Sequence, residues 1–408
     1  MHTPSPATAV PGYVALAGVL GAVVALFIIF TLNPPTLLAA PLFLVSCAIP
    51  MWVIELKRIS VEPRKVHSEI PIWRRTLRLT GLIAVLILFT ASWAVFRVFS
   101  PGPISGLEPQ LIILIPLTAA WMAWITLRPA PRHRLDSIEI LGRTVLRISR
   151  NGKPLNSRDI QCILGWLVKV FFLPLMLSST YIFLASASSF MSDGHGSWWI
   201  FSTSYALLFA VDTAFATIGY CSTSRRIDAH IRSTEPTVAG WVVALVCYPP
   251  LNAIILHQWL SYHDGYDWEK WLSQFPIVCW IWGLTILIMT GLYVSATVAF
   301  GPRFSNLTNR GIITSGPYRY FKHPSYIGKN AAWWLMSVPF VSDKGPLVVL
   351  TSCTALLAIN GLYLLRAKTE EIHLMRDPDY RAYAHWIDEH GVLGKVKKFL
   401  RIRMKLLA

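Results

Sequence analysis

Charge is scarce in this chain. Asp, Glu, Lys and Arg make up only 14% of its 408 residues while 54% are apolar, which excludes both an ordinary soluble domain and a disordered polyelectrolyte. Acidic residues are the scarcer sign, 21 against 37 Lys and Arg. The excess of +16 is spread over short loops between apolar runs, where it orients a membrane protein and meets anionic lipid headgroups, so no nucleic-acid partner is expected. No Cys-x-x-Cys spacing occurs among Cys47, Cys162, Cys221, Cys247, Cys279 and Cys353. These cysteines lie in or beside apolar runs and are expected to be buried reduced thiols, with no metal site and no disulfide framework. A strand followed by a Gly-rich turn and a helix is also missing. The lone G-x-G, Gly194-His195-Gly196, has no helix signal after it and reads as a turn.

What the chain does have is long apolar runs. About 20 mostly apolar residues cross a bilayer, and ten segments qualify as candidates: 12–32, 35–55, 77–98, 108–127, 160–184, 198–219, 237–258, 274–299, 329–342 and 347–366. The first follows no basic n-region and is too long for a signal-peptide core, so it is expected to be a retained span. The short ninth and the tenth are expected to form a hairpin turning at Ser342-Asp343-Lys344-Gly345-Pro346. Segment 56–76 carries six Lys or Arg, 128–158 eight, 221–236 three, 300–329 five and 366–408 ten, while the alternate loops carry at most one each. This alternation predicts an all-α, polytopic helical membrane protein of about ten transmembrane helices with both termini cytoplasmic.

Four divisions follow: an accessory four-helix bundle over 1–130, a basic loop over 131–158, a main membrane domain over 159–394, and a basic amphipathic tail over 395–408 lying on the inner membrane surface. In the loop, short alternating apolar runs around Asn151-Gly152 predict a small β-hairpin, with an unstructured basic linker as the alternative. Lys169 and Asp212 fall inside apolar spans, where ionisable groups are costly, and are expected to pair with each other across adjacent helices. Tyr248-Pro249-Pro250 interrupts the seventh span and is expected to kink it for packing.

Two polar islands stand out against this background. The first is Arg310 to Trp334, RGIITSGPYRYFKHPSYIGKNAAWW; the second is Arg366 to Tyr383, RAKTEEIHLMRDPDYRAY. Gly316-Pro317-Tyr318 is turn chemistry, and His323-Pro324 forces His323 out of the helical region, so a structured loop is expected before a helix beginning near Tyr326. The Gly-Pro-Tyr turn can aim backbone N–H groups at a carboxylate. Arg319, Lys322 and His323 supply donors. On a continuing tenth helix Arg366 and Glu370 fall at i and i+4 on one face.

The pattern G-P-Y-R-Y-x-K-H-P-S-Y-x-G, followed by R-x-x-x-E-E-x-x-L and Y-x-x-Y, resembles the signature of the integral-membrane methyltransferases that include isoprenylcysteine carboxyl methyltransferase and the phospholipid N-methyltransferases. It covers roughly Arg303 to His390. Lys322 stands where those enzymes commonly have Arg, and Arg376-Asp377-Pro378-Asp379 replaces a longer spacer. The resemblance implies S-adenosyl-L-methionine as cofactor, held by Gly316, Tyr318, Lys322, His323, Tyr326, Gly328, Asn330, Glu370, Glu371 and Tyr380, with Tyr383 helping to close a lid. It implies Arg366 and Glu370 at the acceptor and the reacting methyl. Trp333 and Trp334 are expected in the interfacial belt. The expected partners are membrane lipids and a hydrophobic or lipidated acceptor bearing a carboxylate, an amine or a hydroxyl. An NADPH-dependent membrane reductase of a sterol-like substrate, or a transporter using Lys169 and Asp212, are the alternatives.

Overall fold

The apolar runs fold as helices because a backbone in hydrocarbon must satisfy its own N–H and C=O groups. In the computed structural model, which describes residues 5–59, 70–99, 102–128, 135–151, 154–194, 198–396 and 398, α1 (Gly12–Leu32) and α2 (Thr36–Arg58) come first. They are followed by α3 (Ile72–Phe99), α4 (Leu111–Leu127), α5 (Ser137–Asn151), α6 (Ser157–Asp193) and α7 (Trp199–Cys221). Next come α8 (Val238–Val246), the single turn α9 (Trp268–Trp271) and α10 (Pro276–Phe300). The chain ends in α11 (Pro324–Ser337), α12 (Pro346–Leu374) and α13 (Pro378–His390). Among the described residues seven helices are long and apolar enough to cross a membrane, and Leu111–Leu127 is a shorter apolar helix. The seventh expected span is broken at Tyr248-Pro249-Pro250, and the ninth reaches only 14 residues. The sole strand pair among these residues is β1 (Ser233–Thr234) antiparallel to β2 (Thr308–Asn309). The six cysteines are free, but Cys221 is exposed and Cys162 and Cys353 are half-buried.

The expected hairpin in the basic loop is a helix instead, α5. Its start carries a capping box: Asp136 Oδ1 accepts the backbone N–H of Ile138 and Glu139, and Glu139 Oε2 accepts that of Asp136, which satisfies orphan donors in both directions. Glu139 also takes a bidentate pair from Arg74 at 2.9 and 2.6 Å and a bond from Arg78 at 3.0 Å. Arg78 donates onward to the carbonyl oxygens of Ile125 and Arg128, so one buried carboxylate fixes α5 against α3 and the end of α4. Gly152 lies outside the described residues, as do residues 60–69, 129–134 and 195–197 and, within the basic tail, 397 and 399–408.

Lys169 and Asp212 do not pair. Lys169 lies over the Trp166 ring at 4.3 Å, a neutral partner that stabilises a cation without burying a counter-charge. Asp212 accepts the Tyr293 hydroxyl at 2.6 Å.

The first helices are built into the same core as the later ones. Val10, Val14 and Ala22 of the N-terminal part pack in one apolar cluster with Phe43, Met51, Ala210, Phe215 and Ile313. The segment leading into α1 runs along the loop after α10: Ala9 N–H donates to Ile312 O at 2.8 Å, and Thr314 Oγ1 donates to Pro6 O at 2.7 Å.

Helix α11 crosses α10 at Gly328, where a Cβ atom would stand 2.6 Å from Met289 O and 2.7 Å from Tyr293 N. Gly328→Ala is expected to force the helices apart and to cost about 1–3 kcal/mol. A thermal-unfolding midpoint unchanged from wild type would refute that contact.

Candidate active site

The two polar islands meet in one cavity at the polar end of the bundle. Pro324 opens α11 and holds His323 outside the helical region (φ −129°, ψ 66°), and its imidazole meets α12. His323 Nε2 bonds Glu371 Oε1 at 2.8 Å, and Tyr326 donates to Glu370 Oε2 at 2.9 Å. Successive carboxylates on α12 thus each hold one residue of the first island.

Helix α13 closes the other side. Asp377 caps it and accepts Asn309 Nδ2 at 2.6 Å. Tyr383 donates to Tyr318 O at 2.8 Å, Lys322 pairs with Asp388 at 2.9 Å, and Val392 N–H donates to Tyr320 O at 2.9 Å. These contacts fix the 3-10 turn Gly316–Arg319 in place. Gly316 adopts φ +61° there, a conformation that glycine takes without strain.

Tyr318, Lys322, His323, Tyr326, Arg366, Glu370, Tyr380 and Tyr383 all line the cavity. Gly316, Gly328, Asn330 and Glu371 do not: Gly316 shapes the turn, Gly328 serves the helix crossing, and Glu371 reaches the cavity only through His323. Burial, with Glu370 nearby, raises the Tyr318 and Tyr380 phenols, so both are protonated donors at neutral pH. The hydroxyls of Tyr380 and Thr308 are buried in the cavity wall with no hydrogen-bond partner among the described residues. Buried polar groups ordinarily find partners, and these two orphans are suited to hydroxyl or amide groups of a ligand.

Arg366 lies one turn deeper than Glu370. It is held by Asn306 and not by Glu370, donating to Asn306 Oδ1 at 2.9 Å, with its guanidinium over the rings of Tyr248 at 5.3 Å and Tyr326 at 5.5 Å. Asn306 is in turn fixed by its Nδ2 donating to the hydroxyls of Tyr220 and Tyr248. The helix break at Tyr248-Pro249-Pro250 therefore brings a tyrosine to the cavity, beyond the packing role expected of it. Trp333 is half-buried, with its ring against Tyr363 at 5.3 Å and under Lys329 at 5.0 Å.

Lys329, Tyr293, Asn306 and Tyr248 line the cavity too, and sequence reasoning missed them all. Lys329 was detectable by the rule applied to Lys169 and Asp212, since it is a charge placed within an apolar helix. Asn306 and Tyr293 carry no such mark.

Fold and site together define a multi-pass helical membrane protein with a polar chamber at the end of its bundle. Within it, residues 277–376 match the model of the Isoprenylcysteine carboxyl methyltransferase (ICMT) family, a family of membrane-bound methyltransferases. The matched span holds α10, the loop and α11, and α12 through both glutamates. No curated protein and no solved structure matches the chain.

Proposed function

We propose that this protein transfers a methyl group from S-adenosyl-L-methionine to a lipid-like acceptor that enters the chamber from the surrounding membrane, with the chamber and both termini on the cytoplasmic side. The observation that carries it is the pair of bonds His323–Glu371 and Tyr326–Glu370, which make one cavity from two segments far apart in the chain. The alternation of basic loops supports the orientation.

The donor supplies an electrophilic methyl on a sulfonium: an acceptor lone pair forms the new bond, the C–S pair returns to sulfur, and a neutral thioether leaves. The protein's task is then positioning and water exclusion. The Gly-Pro-Tyr turn and Lys322 suit the carboxylate of such a donor, and the Tyr380 and Thr308 hydroxyls suit its carboxylate or a ribose hydroxyl. Glu370 suits its ammonium or a ribose hydroxyl. Arg366, deeper and ringed by aromatics, faces the acceptor. A carboxylate acceptor loses no proton, whereas an amine or hydroxyl must give one up, and Glu370 is placed to take it.

His323→Ala and Glu370→Ala are each expected to weaken equilibrium binding of labelled S-adenosylmethionine by at least about tenfold, as loss of a charge-assisted hydrogen bond does, without loss of the folded state in detergent. Wild-type affinity in both variants would reject this assignment of the donor end.

A further inference from the structure

The deep end of the chamber holds two cations and too little negative charge. Lys329 lies over the rings of Tyr293 at 5.5 Å, Trp333 at 5.0 Å and Tyr363 at 5.4 Å. Tyr363 packs against Tyr326 at 5.6 Å, and the Tyr326 ring underlies Arg366. The ammonium and the guanidinium thus rest on two rings that touch each other, and both cations line the same cavity. Among the described residues neither forms an ion pair. Ring faces stabilise a cation only partly, and buried like charges sharing a low-dielectric space raise each other's free energy.

The carboxylates nearby do not remove the deficit. Glu370 is exposed at the mouth and engaged by Tyr326. Asp212 stands behind Tyr293, whose hydroxyl it accepts. Counting Asp212 as ionised, the deep end is short by one negative charge.

We infer that Lys329 and Arg366 together form a seat for a single oxyanion on the acceptor, and that Lys329 determines specificity for it. The inference rests on the methyltransferase reading of this chamber and extends it. The acceptor is an amphiphile whose hydrocarbon part lies among the membrane helices and whose monoanionic head, a carboxylate or a phosphodiester, reaches between the two cations. Gly328 sets the geometry: by letting α11 press on α10 it places the next residue, Lys329, against Tyr293. A neutral amphiphile leaves both charges unmatched and is discriminated against.

The test uses full-length protein in nanodiscs of phosphatidylcholine and three labelled probes of similar chain length: myristate, a hexadecyl methyl phosphate diester, and neutral myristamide. Wild type is expected to bind the better anion at least about tenfold more tightly than the amide, and which anion wins separates a carboxylate head from a phosphodiester one. Lys329→Met keeps the length and the ring contacts and is expected to lose most of that preference, with S-adenosylmethionine affinity within about twofold of wild type, whereas Lys329→Arg should keep most of it. The inference is overturned if wild type binds myristamide as tightly as the anions, a result that needs no variant to fold. It is equally overturned if Lys329→Met keeps the wild-type preference, or if that variant loses donor affinity and not anion preference. If wild type binds no S-adenosylmethionine, the methyltransferase reading fails separately, and the probe series still decides the anion seat.

Discussion

Arg366→Ala is expected to lower the rate of methyl transfer by about 10²–10³-fold, the range seen when one preorganised charge or donor at a reacting centre is lost, while donor affinity changes by less than about threefold. The asymmetry follows from position. The guanidinium touches Asn306, Tyr248 and Tyr326 and lies a turn below the carboxylates that join the two islands. Arg366→Lys should recover little, because one ammonium cannot stack between two rings and also present a planar fork. The measurement is label passed from methyl-labelled donor to the organic-extractable fraction of reconstituted membranes under single turnover, beside equilibrium donor binding. Loss of donor binding with intact transfer rate would show that the donor and acceptor ends are reversed.

Arg310→Ala is expected to abolish folding. This side chain is 3% exposed and donates to the carbonyl oxygens of Ala229, Gly219, Phe304 and Pro302, gathering the end of α7, the segment before β1 and the loop after α10 around one charge. Truncation removes the guanidinium donor from three buried carbonyls, those of Ala229, Phe304 and Pro302, at about 1–3 kcal/mol each, while Gly219 O keeps the Ser222 N–H; that sum is comparable to the whole stability of a typical domain. No monodisperse peak on size exclusion in mild detergent is the expected result, with Arg310→Lys intermediate. An Arg310→Ala protein unfolding within a few degrees of wild type would mean that water replaces the guanidinium there.

Much of this architecture was legible in the residues because a bilayer enforces it: length and apolarity define α1, α2, α3, α6, α7, α10 and α12 directly. The helix α5 was misread because its pattern was scanned for strand alternation, while its decisive signal, Asp136 followed three residues later by Glu139, is a capping box. The pairing of Lys169 with Asp212 failed for a different reason. Depth along two adjacent helices says nothing of rotation about them, and each side chain turned to an aromatic residue instead. In the chamber, Tyr318, His323, Tyr326, Arg366 and Glu370 were readable as clustered polarity, and Asn306 and Tyr293 were not, since a neutral residue in a loop or an apolar helix gains its meaning only from what the fold sets beside it.

The bonds that Ala9 donates to Ile312 O and that Pro6 O accepts from Thr314 also bear on biogenesis. The segment around Ala9 finds this hydrogen-bonding partner only after some three hundred further residues have been made. The loop that carries the Gly-Pro-Tyr turn therefore gains one of its edges from a segment about three hundred residues earlier in the chain. Expressed without the N-terminal helices, the remainder would leave that edge bare, so the two portions are expected to need co-expression to complement each other.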